Sequence, residues 1–411
     1  MYTVGVSSPF SEFALGPVRL RNRIIKTATY EGMSPGGVPS PSLTRHHAEL
    51  ARGGVGMTTL AYAAISREGR TFDDQLWLRE EIVPALRALT DAVHREGAAV
   101  SIQLAHAGAF TKSRELGLAR PISASAVTNE YGVMVGRPLA RAMGREDMER
   151  VATEFVAAAR LARESGFDAV ELHLGHGYLL SQWLSPRTNH RKDEHGGPIA
   201  NRLRFPREIV RRVRDAVPGL AVLAKTNLAD GVPGGLELDD AIEIVRGVIA
   251  EGTDAVVLSG GVVSRSAMFL LRGGRPLTEM IEVEKSAVQR LALRVLGPML
   301  VREVPYEPMF FLPLASRVRA SVPHATLTLL GGITDREHLD RAMEAGFELV
   351  AMGRALLYDP ALIARWQRGE AARSGCTHCN RCITEMDRPG GVACSIVPAQ
   401  LARREAERSR A

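Results

Sequence analysis

The chain has 411 residues, 45% of them hydrophobic and 24% charged, which is ordinary for a globular protein and provides for a core of barrel size. The net charge of +6 comes mostly from arginines spread through predicted helices and the tail. No basic arm is present, so a solvated basic surface is expected and nucleic-acid binding is not; a phosphorylated cofactor or an acidic substrate suits the same charge. The N-terminal stretch MYTVGVSSPFSEFALG lacks a basic segment followed by an apolar one, and no run of 18 apolar residues occurs. The expectation is therefore no leader, no membrane span and a cytoplasmic location.

Short apolar runs alternate with longer amphipathic ones. Strands are expected at 23–29, 57–63, 99–105, 169–174, 220–226, 255–259, 326–330 and 349–352. Helices are expected at 42–53, 82–96, 145–165, 201–217, 238–251, 308–322, 336–345 and about 360–368. In the third of these, Met148, Val151, Phe155, Ala158, Ala159 and Ala162 recur at helical spacing. Eight strand–helix units predict an α/β fold of the (β/α)8 TIM-barrel type, with chemistry at the C-terminal strand ends. An open doubly wound sheet is the alternative, but no early glycine fingerprint opens a first strand–helix turn. Three connections are long, at 107–144, 175–200 and 260–307, and all leave the same face; such loops are usually lids or capping elements. The expected division is a barrel over 1–370 and a cysteine-rich appendage with a charged tail over 371–411. The stretch Pro308–Met309–Phe310–Phe311–Leu312–Pro313 is expected to be core rather than interface.

Strand four ends in Glu171-Leu172-His173-Leu174-Gly175-His176-Gly177-Tyr178. Two imidazoles and a phenol thus meet at the barrel mouth. Two histidines can donate to one oxygen as it gains negative charge, and a tyrosine beside them can deliver a proton. Zinc on His173 and His176 is the rival, though no third ligand follows. Packed histidines are the bland alternative.

All four cysteines fall in Cys376-Thr377-His378-Cys379-Asn380-Arg381-Cys382 and Cys394, a C-x2-C-x2-C-x11-C spacing. Four clustered thiols in a reducing compartment suit a [4Fe–4S] cluster or structural zinc, the former favoured. His378 reads as a surface residue rather than a ligand.

The segment after strand four carries Leu184-Ser185-Pro186, Asn189-His190-Arg191, Asp193-Glu194, Gly196-Gly197 and Asn201-Arg202. Together with Leu20-Arg21-Asn22-Arg23, Ile102-Gln103-Leu104-Ala105-His106-Ala107-Gly108, Gly331-Gly332-Ile333-Thr334 and Met352-Gly353-Arg354-Ala355-Leu356, it resembles the Old Yellow Enzyme family of FMN-dependent oxidoreductases over residues 8–370. The resemblance implies FMN, and NAD(P)H as the reductant of an activated alkene. It assigns substrate binding to His173 and His176, and proton donation to Tyr178. The flavin would lie against Thr27, Ala28, Thr29 and Ala61, with Gln103 at its pyrimidine edge and Lys225 where many members have arginine. Lysine keeps the charge there and loses the bidentate fork. Gly331, Gly332, Gly353 and Arg354 match the phosphate site, a place barrel physics also favours.

Two features depart from the family pattern: Ala28 stands where many members have proline, and Tyr30 where they have threonine or cysteine. The assignment in strand two is ambiguous by one residue around Ala61-Tyr62-Ala63. The cysteine spacing is similar to that of 2,4-dienoyl-CoA reductase and trimethylamine dehydrogenase. This implies an alternative function, a flavin and iron–sulfur dehydrogenase that oxidises a small amine or carbonyl compound and passes electrons to a partner protein. A small-molecule substrate is expected in either case, and association into a homo-oligomer is an open expectation. A non-catalytic redox sensor and a phosphate-binding isomerase or aldolase are the remaining readings.

Overall fold

The computed structural model describes residues 7–116, 119–133, 136–284 and 286–408. Eight parallel strands close into a barrel: β1 (Ile24–Lys26), β2 (Met57–Ala64), β3 (Ala99–Ala105), β4 (Ala169–Leu174), β5 (Ala221–Asn227), β6 (Ala255–Ser259), β7 (Leu327–Leu330) and β8 (Leu349–Met352). They follow chain order around the ring, and β8 pairs with β1. The outer helices are α1 (Pro41–Arg52), α2 (Val83–Arg95), α3 (Arg145–Glu164), α4 (Arg204–Ala216), α5 (Leu238–Ala250), α6 (Leu312–Ser321), α7 (Arg336–Glu344) and α8 (Leu362–Gln367). The expected TIM barrel is thus observed.

Side-chain alternation sorts the strands into two faces. On β4, Val170, Leu172 and Leu174 join the shell between strands and helices, while Ala169 joins the barrel interior. Ile25, Met57, Leu223 and Val257 fill the lower interior, and a hairpin of Phe13–Leu15 and Val18–Leu20 closes the floor with Leu15 and Leu20. The upper interior is polar: Thr59, Ser101, Gln103, Glu171, His173 and Lys225 are all buried there. An apolar floor under a polar upper layer is what aims chemistry at one end only.

β1 and α6 are shorter than expected, for local reasons. β1 stops at Lys26 because the chain peels off the ladder; Thr27 N still donates to Met352 O (2.9 Å). α6 starts at Leu312 because Met309 sits at φ +51° beside Pro308; Met309, Phe310 and Phe311 are buried core. The long connections hold structure of their own. In 107–144, Ile122–Ser123 pairs with Arg141–Ala142; 175–200 carries the helix Leu179–Leu184; 260–307 carries helices Val263–Leu270, Leu277–Val283 and Ala287–Leu300. The cysteine-bearing segment leans on the last of these through Gly274 N to His378 O (2.9 Å) and Arg381 to Glu279 (2.8 Å). It meets the loop after β1 through Val392 N to Glu31 O (2.7 Å). No helix among the described residues is long and apolar enough to cross a membrane.

Arg21 explains why its motif precedes β1. Its guanidinium donates to Val55 O (3.0 Å), to Glu96 O (2.8 Å) and to Ala51 O, which ties down the C-terminal ends of α1 and α2. Helix-end carbonyls left without donors are costly. Arg21→Met is expected to lower stability by about 2–3 kcal/mol in urea unfolding, since three backbone acceptors lose a charged donor together.

Candidate active site

The end of β4 brings His173, His176 and Tyr178 together. The two imidazole rings meet edge to face at 4.9 Å, and the Tyr178 ring lies 4.5 Å from that of His173. All three are buried, with exposures of 3%, 9% and 5%. His173 Nδ1 accepts from Gly175 N (3.4 Å), so its proton sits on Nε2. His176 Nε2 is 2.7 Å from Ser259 Oγ at the end of β6. His176 has φ +62°, a conformation costing a side-chain-bearing residue roughly 1 kcal/mol. Its peptide is held on both sides: N donates to Asn227 Oδ1 (3.1 Å), and O accepts from Val263 N (3.1 Å).

Burial holds both imidazoles neutral. It presses His173 well below the usual range, helped by His176 and Lys225; it brings His176 down to about 3, with Lys225 adding repulsion. Neutral rings are hydrogen-bond donors without charge, which suits an oxygen that becomes anionic during reaction.

Below them lies a buried polar cluster. Gln103 Nε2 donates to Glu171 Oε1 (2.6 Å), and Lys225 Nζ pairs with the same oxygen at 2.8 Å and donates to Thr27 Oγ1 (3.0 Å). Gln103 keeps its amide oxygen, and Lys225 keeps one proton, for a ligand edge. That donor and acceptor set fits the pyrimidine rim of a flavin. The slot beside it is lined by small and aromatic groups: Ala61, Tyr62, Ala105, Phe110 and Tyr178, with Ala28 and Tyr30 packed against them. Thr29 flanks Thr27 near Gly353.

A β-bulge resolves the ambiguity in strand two. The β2–β3 ladder pairs Leu60 with Ile102 and then Ala63 with Leu104. Ala61 and Tyr62 together face Gln103, so both belong to the slot rather than one of them. Tyr62 stacks on Tyr178 at 5.0 Å and on Tyr30 at 5.6 Å; Phe72 completes the wall 5.4 Å from Tyr30. Burial pushes the Tyr30 hydroxyl far up, so it stays protonated.

The glycine turns after β7 and β8 are neighbours because those strands pair. Gly331 and Gly332 have φ of +104° and +74°, and a Cβ would lie 2.8 Å from the Phe311 ring or 2.6 Å from Met309 N. Only glycine brings the backbone this close. Arg354 opens the short helix Arg354–Tyr358 beside Gly353. Its Nη1 donates to Arg272 O (2.8 Å) and to Asn380 Oδ1, leaving Nε and Nη2 for an anion. The expected phosphate arginine is therefore also the strut of the cysteine loop, a link not read from the sequence.

Cys376, Cys379, Cys382 and Cys394 are free thiols that border one small cavity together with Arg354 and Asn380. Burial raises Cys376 and Cys394 and pushes Cys382 up to about 12, partly countered by Arg354 at Cys376 and Cys382. Among the described residues no three His, Cys, Asp or Glu side chains form a group that holds a metal ion as they stand. His378 is half-buried: its ring stacks on Tyr306 at 3.4 Å, and Tyr306 in turn bonds Gly332 O (3.0 Å) and Thr334 Oγ1 (2.9 Å).

Sequence reasoning missed the supports. Asn227 passes from His176 to Asp230 (2.8 Å) and Gly261 O (3.0 Å); Asp230 accepts from Ser185 Oγ (2.6 Å). Much of the motif after β4 is scaffolding. Asn189 donates to Trp183 O and His195 O, and Arg202 to Gly197 O and Asp240. The polar identity of these residues was visible; their partners, 45 to 83 positions away for Ser185, His176 and Ser259, were not.

The neutral histidines give a pH dependence with a definite sign. Unfolding exposes both rings to water, where they protonate near pH ~6.5, so the unfolded chain binds more protons and stability falls as pH drops below that value. Replacing both His173 and His176 by asparagine is expected to flatten the urea-stability slope between about pH 6.5 and 4.5, by up to about 1.4 kcal/mol per unit for each ring. Equal slopes in the parent and the double variant would mean that the folded imidazoles carry charge.

Comparison with known proteins agrees with this geometry. Residues 9–257 match the family model described as NADH:flavin oxidoreductase / NADH oxidase. The 4,4'-dithiodibutanoate disulfide reductase of Rhodococcus erythropolis is 41% identical over 390 residues, covering 93% of this chain and 94% of that protein. The NADPH dehydrogenase of Listeria welshimeri is 36% identical over 265 residues, covering 63% of this chain and 75% of its own length. A solved structure of 2-naphthoyl-CoA reductase shares the fold with a TM-score of 0.80 at 22% identity; 97% of this chain is covered, and the chain spans 58% of that protein. The chain belongs to the NADH:flavin oxidoreductase family, that of Old Yellow Enzyme, and is an NAD(P)H-dependent flavin oxidoreductase of that type.

Proposed function

We propose that the chain reduces the C=C bond of an activated alkene at the expense of NAD(P)H, with FMN held between β1, β3, β5 and the two glycine turns. The observation that carries this reading is the pair of neutral buried imidazoles beside Tyr178. FMN, when bound, supplies the hydride chemistry. Gln103 and Lys225 hold its polar rim, and Thr27 orients Lys225. His173 donates from Nε2 to the substrate carbonyl oxygen. Ser259 fixes the His176 ring, and with the hydroxyl donating to Nε2 the second ring donates from Nδ1. Two donors on one oxygen stabilise the enolate that forms as hydride reaches Cβ. Tyr178 then gives its proton to Cα. The aromatic wall of Tyr62 and Phe110 excludes water from that transfer.

A disulfide is the second reading, favoured by the Rhodococcus relative, a disulfide reductase. There the imidazoles would steady the departing thiolate and Tyr178 would protonate it. The test is rapid mixing of the NADPH-reduced holoenzyme with 2-cyclohexenone or with 4,4'-dithiodibutanoate. Tyr178→Phe is expected to slow reduction of the true acceptor by about 10²–10⁴-fold, with flavin reduction by NADPH changed far less. An equal loss in both half-reactions would remove Tyr178 from its role as proton donor.

The cysteines are read as ligands of a [4Fe–4S] cluster, Cys376, Cys379, Cys382 and Cys394 each holding one iron. All four bordering one cavity supports this. A single zinc needs its sulfurs gathered about one point at Zn–S of about 2.3 Å, whereas a cluster spreads them over separate irons. Anaerobically purified protein is expected to contain about four irons and matching sulfide per chain, with a visible absorption that bleaches on reduction. Stoichiometric zinc and no iron would replace the cluster with a structural site. The alternative is a dehydrogenase that hands electrons to a partner protein; it predicts that a small amine, without NADPH, bleaches the flavin and the iron–sulfur absorption stoichiometrically.

A further inference from the structure

A cavity of about 680 Å³ opens between the 107–144 connection, the segment after β4 and the start of the 260–307 connection. Its inner wall includes Gly177, Phe110 and Val262. Phe110 packs on Tyr178 at 5.1 Å, and Val262 is bridge-paired with His176. The cavity is therefore the outward continuation of the histidine–tyrosine centre.

Its charges do not balance. Arg120, Arg187 and Arg265 line it, against Glu130 and Asp230. Asp230 is consumed inside the protein, accepting from Asn227 (2.8 Å), Ser185 (2.6 Å) and Leu236 N (2.9 Å). Glu130 pairs with Arg265 across the two connections. Arg265 is 38% and Glu130 29% exposed, so water screens the pair and another carboxylate can replace Glu130 at little cost. Arg187 has no carboxylate partner among the described residues. Its Nη1 donates to Pro233 O (3.0 Å). A guanidinium fork matches a carboxylate.

We propose that this cavity is an anion site in which Arg187 and Arg265 hold a carboxylate at the far end of the acceptor molecule, while the reducible bond lies at His173, His176 and Tyr178. The inference rests on the reductase reading and adds a substrate class to it: acceptors that bear a carboxylate several bonds from the reacting centre. In this arrangement Glu130 is the surrogate that Arg265 releases when the substrate enters. Phe110 and Val262 flank the chain that joins the two ends.

The test measures binding without turnover. Octanedioate, which cannot be reduced, and its dimethyl ester are titrated into the oxidised holoenzyme and followed by the flavin absorption spectrum and by calorimetry. Octanedioate is expected to bind at least about tenfold more tightly than the ester, the worth of a charge-assisted pair. Arg187→Met and Arg265→Met are each expected to weaken octanedioate by about tenfold and the ester far less, with Arg187→Lys recovering part of the loss. Arg265→Met, at the exposed rim, gives the same readout should Arg187→Met fold poorly. Equal weakening of acid and ester, or none, overturns the proposal. An effect confined to the KM for NADPH also overturns it, because the arginines would then hold nucleotide phosphate. A protein that binds octanedioate through these arginines yet reduces neither test acceptor refutes the reductase reading and leaves the anion site standing.

Discussion

The contact between Lys225 and Glu171 is the constraint around which the upper barrel is arranged. An ammonium and a carboxylate at 1% and 3% exposure would each be prohibitively costly alone. At 2.8 Å they compensate one another, while Gln103 donates to the same carboxylate oxygen and Thr27 accepts a second proton of the ammonium. Removing one partner of such a pair typically costs about 3–5 kcal/mol, because the other charge stays buried. The pair also sets the electrostatics above it. Lys225 stands opposite His173 in the β4–β5 register, and its charge opposes protonation of both imidazoles. One buried cation thus has two consequences: it puts positive charge beside the slot below, and it keeps the imidazoles above neutral.

Much of this was legible from the chain. Parallel strands buried on both faces read as short apolar runs, so β3, β4, β6 and β8 begin and end where the runs do. The His173–Tyr178 cluster was legible because one strand end carries it. What stayed hidden depends on contacts between distant segments. Ser259 and Asn227 carry no motif, yet they hold His176 in a left-handed conformation it would not keep alone. The bulge at Ala61 and Tyr62 breaks a period of two that a single strand cannot reveal. Nothing in the sequence pairs His378 with Tyr306, and only the fold brings the two rings together.

Asn380 shows how the cysteine segment is joined to the barrel. Its side chain donates to Gly274 O (2.9 Å) and Leu271 O and accepts from Arg354. Asn380 itself sits at φ +61° and is 1% exposed, a strained backbone held by its own side-chain bonds. Arg354, the 260–307 connection and the thiol loop are consequently one mechanical unit, and a change in any of them is felt by the others.

The ladder between β8 and β1 has a consequence for how the molecule is made. Met352 lies opposite Lys26, and Gly353 packs beside Thr27 and Thr29, so the expected flavin slot straddles the seam between the first and last strands. A growing polypeptide leaves β1 without that neighbour until more than three hundred further residues have emerged. Pairings so distant along the chain close slowly, and unpaired edges are exposed in the meantime. A cofactor seated in that slot would therefore not template early folding; the slot is among the last parts of the barrel to exist, and its filling would report completion of the ring.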